Sequence, residues 1–397
     1  MLNHTKTAIL SFWAILAVAA AFATADEITS NTVWQGRITI REKITFSPRA
    51  SLAIMPDAVI FFEAQGELVC AGRFHARGAA FTAVQPLTGK SRLTLAAGGR
   101  LQDCAFSNLV TESKRYHNAF LSILGGPAAI ESCRFDNCSA AEIVRGQEPA
   151  VSNCVFDGPA GVGLALFHCT AAKITGNIFQ GGHRTAAMLK LNNTEDSRVA
   201  QNRFCGRGTA IELYGASRNN LLVANDCFDN TYGVTLHAGA QNNTVLACLI
   251  DGASSAGVRA FGGADNLLRN CVVWRAGTGV HLGAREAAPA AATISILNSV
   301  FAGCGAAVFS GFPSYSGVIA HNAFWQNKSD LELDRGAFRA ADNLFADPLF
   351  VDPENGNFRL QLREFNHPAD SPLRSAGAPA GCAIGLFHKV INPVHAE

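Results

Sequence analysis

Short runs in which an apolar residue alternates with a polar or small one recur along most of the chain, as in GTAIEL, YGVTL, AGVRA and TGVHL. That alternation places one face of a strand in a core and the other in water. No stretch shows a sustained helical period, so strands are predicted in every unit. Between these runs a second phrase returns about every two dozen residues, an amide, acid or serine, then Cys or Asn, then any residue, then Phe. It ends at Phe106, Phe135, Phe156, Phe204 and Phe345, and with one position changed at Phe179, Phe228, Phe301 and Phe324, while Phe81, Ile250 and Val273 close looser copies. From Phe81 to Phe345 there are eleven steps of 21 to 29 residues, hence twelve turns. Units that cannot bury their own apolar face must stack on their neighbours, and strand coils stacked at the strand spacing make a parallel β-helix. Eleven steps of about 4.8 Å predict a rod about 53 Å long.

The repeat runs through most of the 397 residues without a linker, so one elongated domain is expected. Residues 26–80, which include GRITIREKITF, RASLAIMPDAVIFF and GELVCAGRFHARG, alternate in the same way and start the coil; residues 81–345 hold the regular repeats. Residues 346–397, rich in Pro, Asp and Gly, are expected to cap the last turn, whose strand edges would otherwise be open. Lys6, an apolar run from Ala8 to Phe22 and Ala23-Thr24-Ala25 read as a signal peptide, residues 1–25, cleaved before Asp26. The expectation is export to the periplasm or beyond, without membrane insertion after cleavage, and a monomer. A net charge of +1 with no long run of one sign gives no reason to expect a nucleic-acid or anionic-membrane partner.

Twelve cysteines in an exported chain would suggest disulfides. The repeat argues for another use. Cys104, Cys133, Cys154, Cys248 and Cys271 all stand two residues before the repeat hydrophobe, where other turns have Asn177, Asn202, Asn322 and Asn343. They are therefore read as thiols stacked inside the coil.

The opening residues through GELVCAGRFHARGAAF, the closing ADPLFVDPENGNFRLQ with SPLRSAG and IGLF, and phrases such as SRNNLLVANDCFDNTYGVTL and AQNNTVLACLI resemble the right-handed parallel β-helix proteins of the pectin-lyase-like group. The phrases are similar to repeats shared by carbohydrate-binding and sugar-hydrolase β-helices and by periplasmic copper-accessory NosD-type proteins. The resemblance covers residues 31–387 and implies an all-β, single-stranded, right-handed coil of three sheets with an asparagine ladder at one bend. It also implies that a carbohydrate-active member would work in a groove along the first sheet, here the strand seven to nine residues after the Phe.

With Ile211 and Leu213 inward, Glu212 and Tyr214 face outward, and the same rule predicts two outward columns. The first reads Ser122, Glu142, Gly163, Lys190, Glu212, Thr235, Arg259, His281 and later Glu332; the second includes Asn192, Tyr214, His237 and Phe261. Aromatic rings pack on apolar sugar faces, while Lys, Arg, Asn and His reach hydroxyls or carboxylates. A polysaccharide is therefore the expected partner, held by Lys190, Asn192, Glu212, Tyr214, His237, Arg259, Phe261 and His281. Longer steps around TESKRYHN and REAAPAAAT would raise loops near both ends of this face.

Catalysis finds less support. Glycoside hydrolysis needs two carboxyls about 5 to 9.5 Å apart, and Glu212 is the one acid of the central face. Glu195 and Asp196, which follow the preceding strand, are the candidates to join it in a hydrolase or lyase. The Asp-Pro-His-Asp signature of alginate epimerases is absent, and the outward columns lack the aspartate cluster that a calcium-dependent lyase of this fold would use. No cofactor or metal is expected. His237 and His281 lie two turns apart in different columns and Met is scarce, which disfavours copper. The competing roles are a non-catalytic structural or surface protein and a NosD-like accessory.

Overall fold

The computed structural model of the chain describes residues 27–83, 87–88, 91–112, 119–283 and 292–386. The predicted signal peptide and most of the two raised loops lie outside the described residues. Three long parallel sheets of 13, 14 and 14 strands wrap into one coil. In each turn the chain passes through a first sheet, exemplified by Thr209–Tyr214, then a second, Leu221–Val223, then a third, Asp226–Phe228. Thr32–Trp34, Arg37–Ile40 and Lys43–Phe46 are already strands of the second, third and first sheets, so the coil does start in the N-terminal segment.

The third sheet carries the phenylalanine stack. Phe81, Phe106, Phe135, Phe156, Phe179 and Phe204 are buried, with successive ring centroids 4.6 to 4.8 Å apart and nearly parallel planes. The strand spacing itself sets that distance. Register departs from expectation at one turn: Phe204 pairs with Cys227 and Cys227 with Ile250, so Cys227 faces the core. Phe228 is thereby turned to the outer face, where Arg203 lies 4.6 Å over its ring. At the far end Phe345 pairs with Phe324 but has no rung above it and stays 65% exposed.

The slot two residues before the inward residue sits at the bend between second and third sheets, not within a strand. A left-handed residue such as Asn153, Gln201 or Ala224 turns the chain just before it. Asn177, Asn202 and Asn225 then form a ladder: Asn177 Nδ2 donates to Asn202 Oδ1 at 2.9 Å and Asn202 Nδ2 to Asn225 Oδ1 at 3.0 Å. Each side chain also meets backbone, as Asn202 Nδ2 does at Ile174 O (2.9 Å) and Asn202 Oδ1 does at Asn177 N (2.9 Å). A second ladder, Asn220, Asn243 and Asn266, occupies the bend between first and second sheets. Buried amides so paired satisfy the bend's backbone groups that no strand partner reaches.

Cys104, Cys133, Cys154, Cys248 and Cys271 continue the first ladder as buried free thiols, as the column predicts. Cys138 and Cys304 are buried elsewhere, and burial pushes their thiols up to about 12 and about 11. Among the twelve cysteines only Cys382 is exposed.

The C-terminal segment takes a different seat from the expected one. Phe350, Phe358, Leu360, Leu373, Ile384 and Leu386 pack on Leu249, Val272, Val300, Ala302 and Ala323, which are outward residues of the third sheet. Trp274 meets Phe350 and Phe358 edge-on at 6.0 and 5.7 Å. Asn298 Nδ2 donates to Ala378 O at 2.7 Å, and Gly385 N donates to Asn298 O. Residues 346–386 thus lie along the flank of the coil, because several turns there present an apolar outer face that needs covering.

Candidate functional site

The first sheet is free of that cover, and its outer face carries the two predicted columns with one shift of register. Strand pairing gives Ser122, Glu142, Ala165, Lys190, Glu212, Thr235, Arg259, His281, Phe309 and Glu332 as the first column. Ala165 therefore stands where Gly163 was expected. The connection from third to first sheet varies in length, so counting forward from the Phe misplaces the strand. Counting back from the left-handed residue that ends it, His168 or Asn193, recovers the register. Phe309, eight residues after Phe301, was not among the predicted residues and stands edge-on to His281 at 5.2 Å.

Glu212 is the centre of the face. Its Oε2 lies 3.2 Å from Lys190 Nζ on the rung before, and its Oε1 lies 2.8 Å from His237 Nε2 on the rung after. Burial opposes ionisation of this carboxyl, yet the hydrogen bond to His237 and the charge of Lys190 prevail and bring its pKa down to about 2. An ionised carboxylate only accepts, so Nε2 of His237 carries the proton of this bond. Glu212 is accordingly a fixed negative charge and not a proton donor at neutral pH.

Rings surround this ion cluster. Tyr214, 41% exposed, lies 4.6 Å from the His237 ring, and His237 lies 5.7 Å from Phe261, so the second column is continuous over three rungs. Lys190 Nζ sits 4.6 Å over the Tyr214 ring. The Arg259 guanidinium lies 3.5 Å over Tyr232 and 4.5 Å from Phe261. Tyr232 was not among the predicted residues; it opens the strand Tyr232–Leu236 and is reached only because Arg259 leans back across one rung. Asn192 accepts from Asn193 Nδ2 at 3.0 Å, which orients its amide beside Tyr214. Burial and the nearby Arg259 charge lower the His281 pKa, leaving a neutral imidazole at pH 7.

Glu195 and Asp196 do not join this cluster. They lie at the bend after Ala187–Asn192, where Glu195 Oε2 accepts from Arg218 at 2.7 Å and Asp196 Oδ1 accepts from Asn219 at 3.0 Å. Both carboxylates are committed to partners at that bend, which explains why following the preceding strand does not bring a second acid to Glu212. Among the described residues no group of three or more His, Cys, Asp or Glu is gathered as metal ligands would be, and no helix is long and apolar enough to cross a membrane.

None of the curated proteins is similar to the chain. Among solved structures it resembles a mutant of the periplasmic alginate epimerase AlgG, at 12% identity over 75% of this chain and 79% of that one, with a TM-score of 0.51. It also resembles the PL6 family alginate lyase AlyGC, at 14% identity over 92% of this chain and 56% of that one, with a TM-score of 0.52. Identity this low speaks for the fold. The family model described as a right handed beta helix region matches residues 96–250 and 192–345, which together span more than half the sequence. With that match and three parallel sheets of 13, 14 and 14 strands wound into one coil, the chain belongs to the right-handed β-helix family.

Proposed function

We propose that this is an exported protein that binds a polysaccharide along the outer face of the first sheet, over the rungs from Lys190 to His281. The observation that carries the reading is the continuous run Tyr214, His237 and Phe261, flanked by Lys190 and Arg259, each cation over a ring. Rungs about 4.8 Å apart repeat at roughly the length of a sugar unit, and ring faces with adjacent cations and amides suit pyranose faces and their substituents. Two of the fold neighbours are an alginate epimerase and an alginate lyase, which is in keeping with a linear glycan on this face.

Binding needs no catalytic pair, and among the described residues the central face offers none of the two-carboxyl kind. Glu212 stays ionised and is tied to Lys190 and His237, so we read it as the residue that fixes those two side chains. A glycan array that includes alginate tests the proposal. The mature protein is expected to bind at least one acidic or neutral glycan, to keep binding in Glu212→Gln, and to lose about tenfold or more in Tyr214→Ala, where one exposed stacking ring is removed. No binding to any glycan would sink it. Export is checked separately by the mass of the secreted chain, expected to begin at Asp26.

A further inference from the structure

Thr235 stands in the first column between Glu212 and Arg259, so its side chain points outward, away from the core residues Val234 and Leu236. Every other feature of an outward position predicts exposure, yet Thr235 is 0% exposed. Its Oγ1 is buried and has no hydrogen-bond partner. A buried hydroxyl without a partner is destabilising, and native structures hold few of them.

Its neighbours on the outer face are the candidate binding residues themselves. Glu212 reaches across one rung to His237 at 2.8 Å, closing the side toward the second column. Arg259 leans back from the following rung to lie 3.5 Å over Tyr232, which belongs to the strand of Thr235. Side chains from three successive rungs are thus tied together on the face where this hydroxyl is buried. Val234 and Leu236, its neighbours along the strand, are fixed in the core and hold it in place.

We propose that Thr235 is the floor of a closed saccharide subsite, whose lid is formed by Arg259, His237 and Tyr232. A sugar hydroxyl entering between the lid side chains pairs with Thr235 Oγ1 and satisfies it, while the displaced guanidinium and imidazole remain beside the ligand as donors. The ligand class is a pyranose unit with a free hydroxyl, held edge-on at the floor and stacked on the rings above. The inference rests on the polysaccharide reading of the face and adds to it a specificity-determining residue and a lid that must part.

The test compares Thr235→Val, which keeps the shape and removes the hydroxyl, with Thr235→Ser, which keeps the hydroxyl, on an array of acidic and neutral oligosaccharides that includes alginate. Thr235→Val is expected to melt at the same temperature as wild type or higher, because an unsatisfied buried hydroxyl is gone, and to bind about tenfold more weakly. Thr235→Ser is expected to bind within about threefold of wild type. Wild-type affinity in Thr235→Val, with Tyr214→Ala still impaired, would overturn the subsite and leave the face intact. A melting temperature several degrees lower in Thr235→Val would also overturn it, by giving Oγ1 a structural role. Absence of glycan binding by the folded wild type would remove both readings together.

Discussion

Phe179→Ala is expected to lower the stability of the protein by about 3–5 kcal/mol, the usual cost of emptying a large buried aromatic site. Phe179 is 0% exposed and stacked between Phe156 at 4.6 Å and Phe204 at 4.8 Å. Removing it takes a ring from both contacts, and the backbone of a solenoid cannot collapse to fill the space, because each rung is held at the strand spacing by hydrogen bonds on all three sheets. Coupling in such a coil runs between neighbouring rungs, so the variant is also expected to unfold over a broader denaturant range than wild type. Phe345→Ala is the control. It stands in the same sequence phrase but is 65% exposed on the last rung, and its loss should cost less than about 1 kcal/mol. Equal effects from the two substitutions, read from denaturation midpoints, would contradict this account of the stack.

The second large effect is a pH dependence centred on Glu212. Its folded pKa is about 2, below the ordinary 4.5, so the folded state favours the ionised form. A lowered carboxyl pKa gives stability that is present above the unfolded value and lost as pH falls toward the folded one. The window therefore runs from about pH 4.5 down to about pH 2, with a full loss of at most about 3 kcal/mol, of which about 2 kcal/mol is gone by about pH 3. Glu212→Gln removes the titrating group and retains an acceptor for Lys190 or His237. Between about pH 5 and about pH 3, wild type is expected to lose about 2 kcal/mol more than the variant, measured by chemical denaturation of both. Parallel losses in the two proteins would show that the Lys190 and His237 contacts do not hold this carboxylate.

The fold was legible because its core repeats. Phe106 to Phe204 identify the rungs, and the residues two places before them identify the bend ladder, since only a side chain satisfied by its neighbours above and below can sit there. The Phe228 turn was misread because its phrase carries the aromatic one place late. The better signal was Asn225, which heads the inward Cys227 as Asn202 heads Phe204. The lateral seat of the C-terminal segment also left a trace. Leu249, Val272, Val300 and Ala323 are apolar in four consecutive turns, whereas the turns outside that cover mix Arg134 and Arg203 with Val155 and Ile178, and a covered outer face needs the unbroken run.

The candidate face was legible in part. Alternation alone places Glu212, Tyr214, His237 and Arg259 outward, and strand pairing then sets them on successive rungs. What alternation does not carry is the reach of long side chains between rungs and columns. The bond from Glu212 to His237, the seat of Arg259 on Tyr232 and the burial of Thr235 all depend on it. Glu195 shows the converse. It is near Glu212 in sequence, but the bend commits it to Arg218.

The most direct measurement of the central claim is a calorimetric titration of wild type and Tyr214→Ala with an oligosaccharide that the array selects. The account expects saturable binding by wild type and affinity lower by about tenfold or more in the variant, with the melting temperature nearly unchanged because Tyr214 is exposed. Equal affinity in the two proteins would mean that the glycan does not lie on this face.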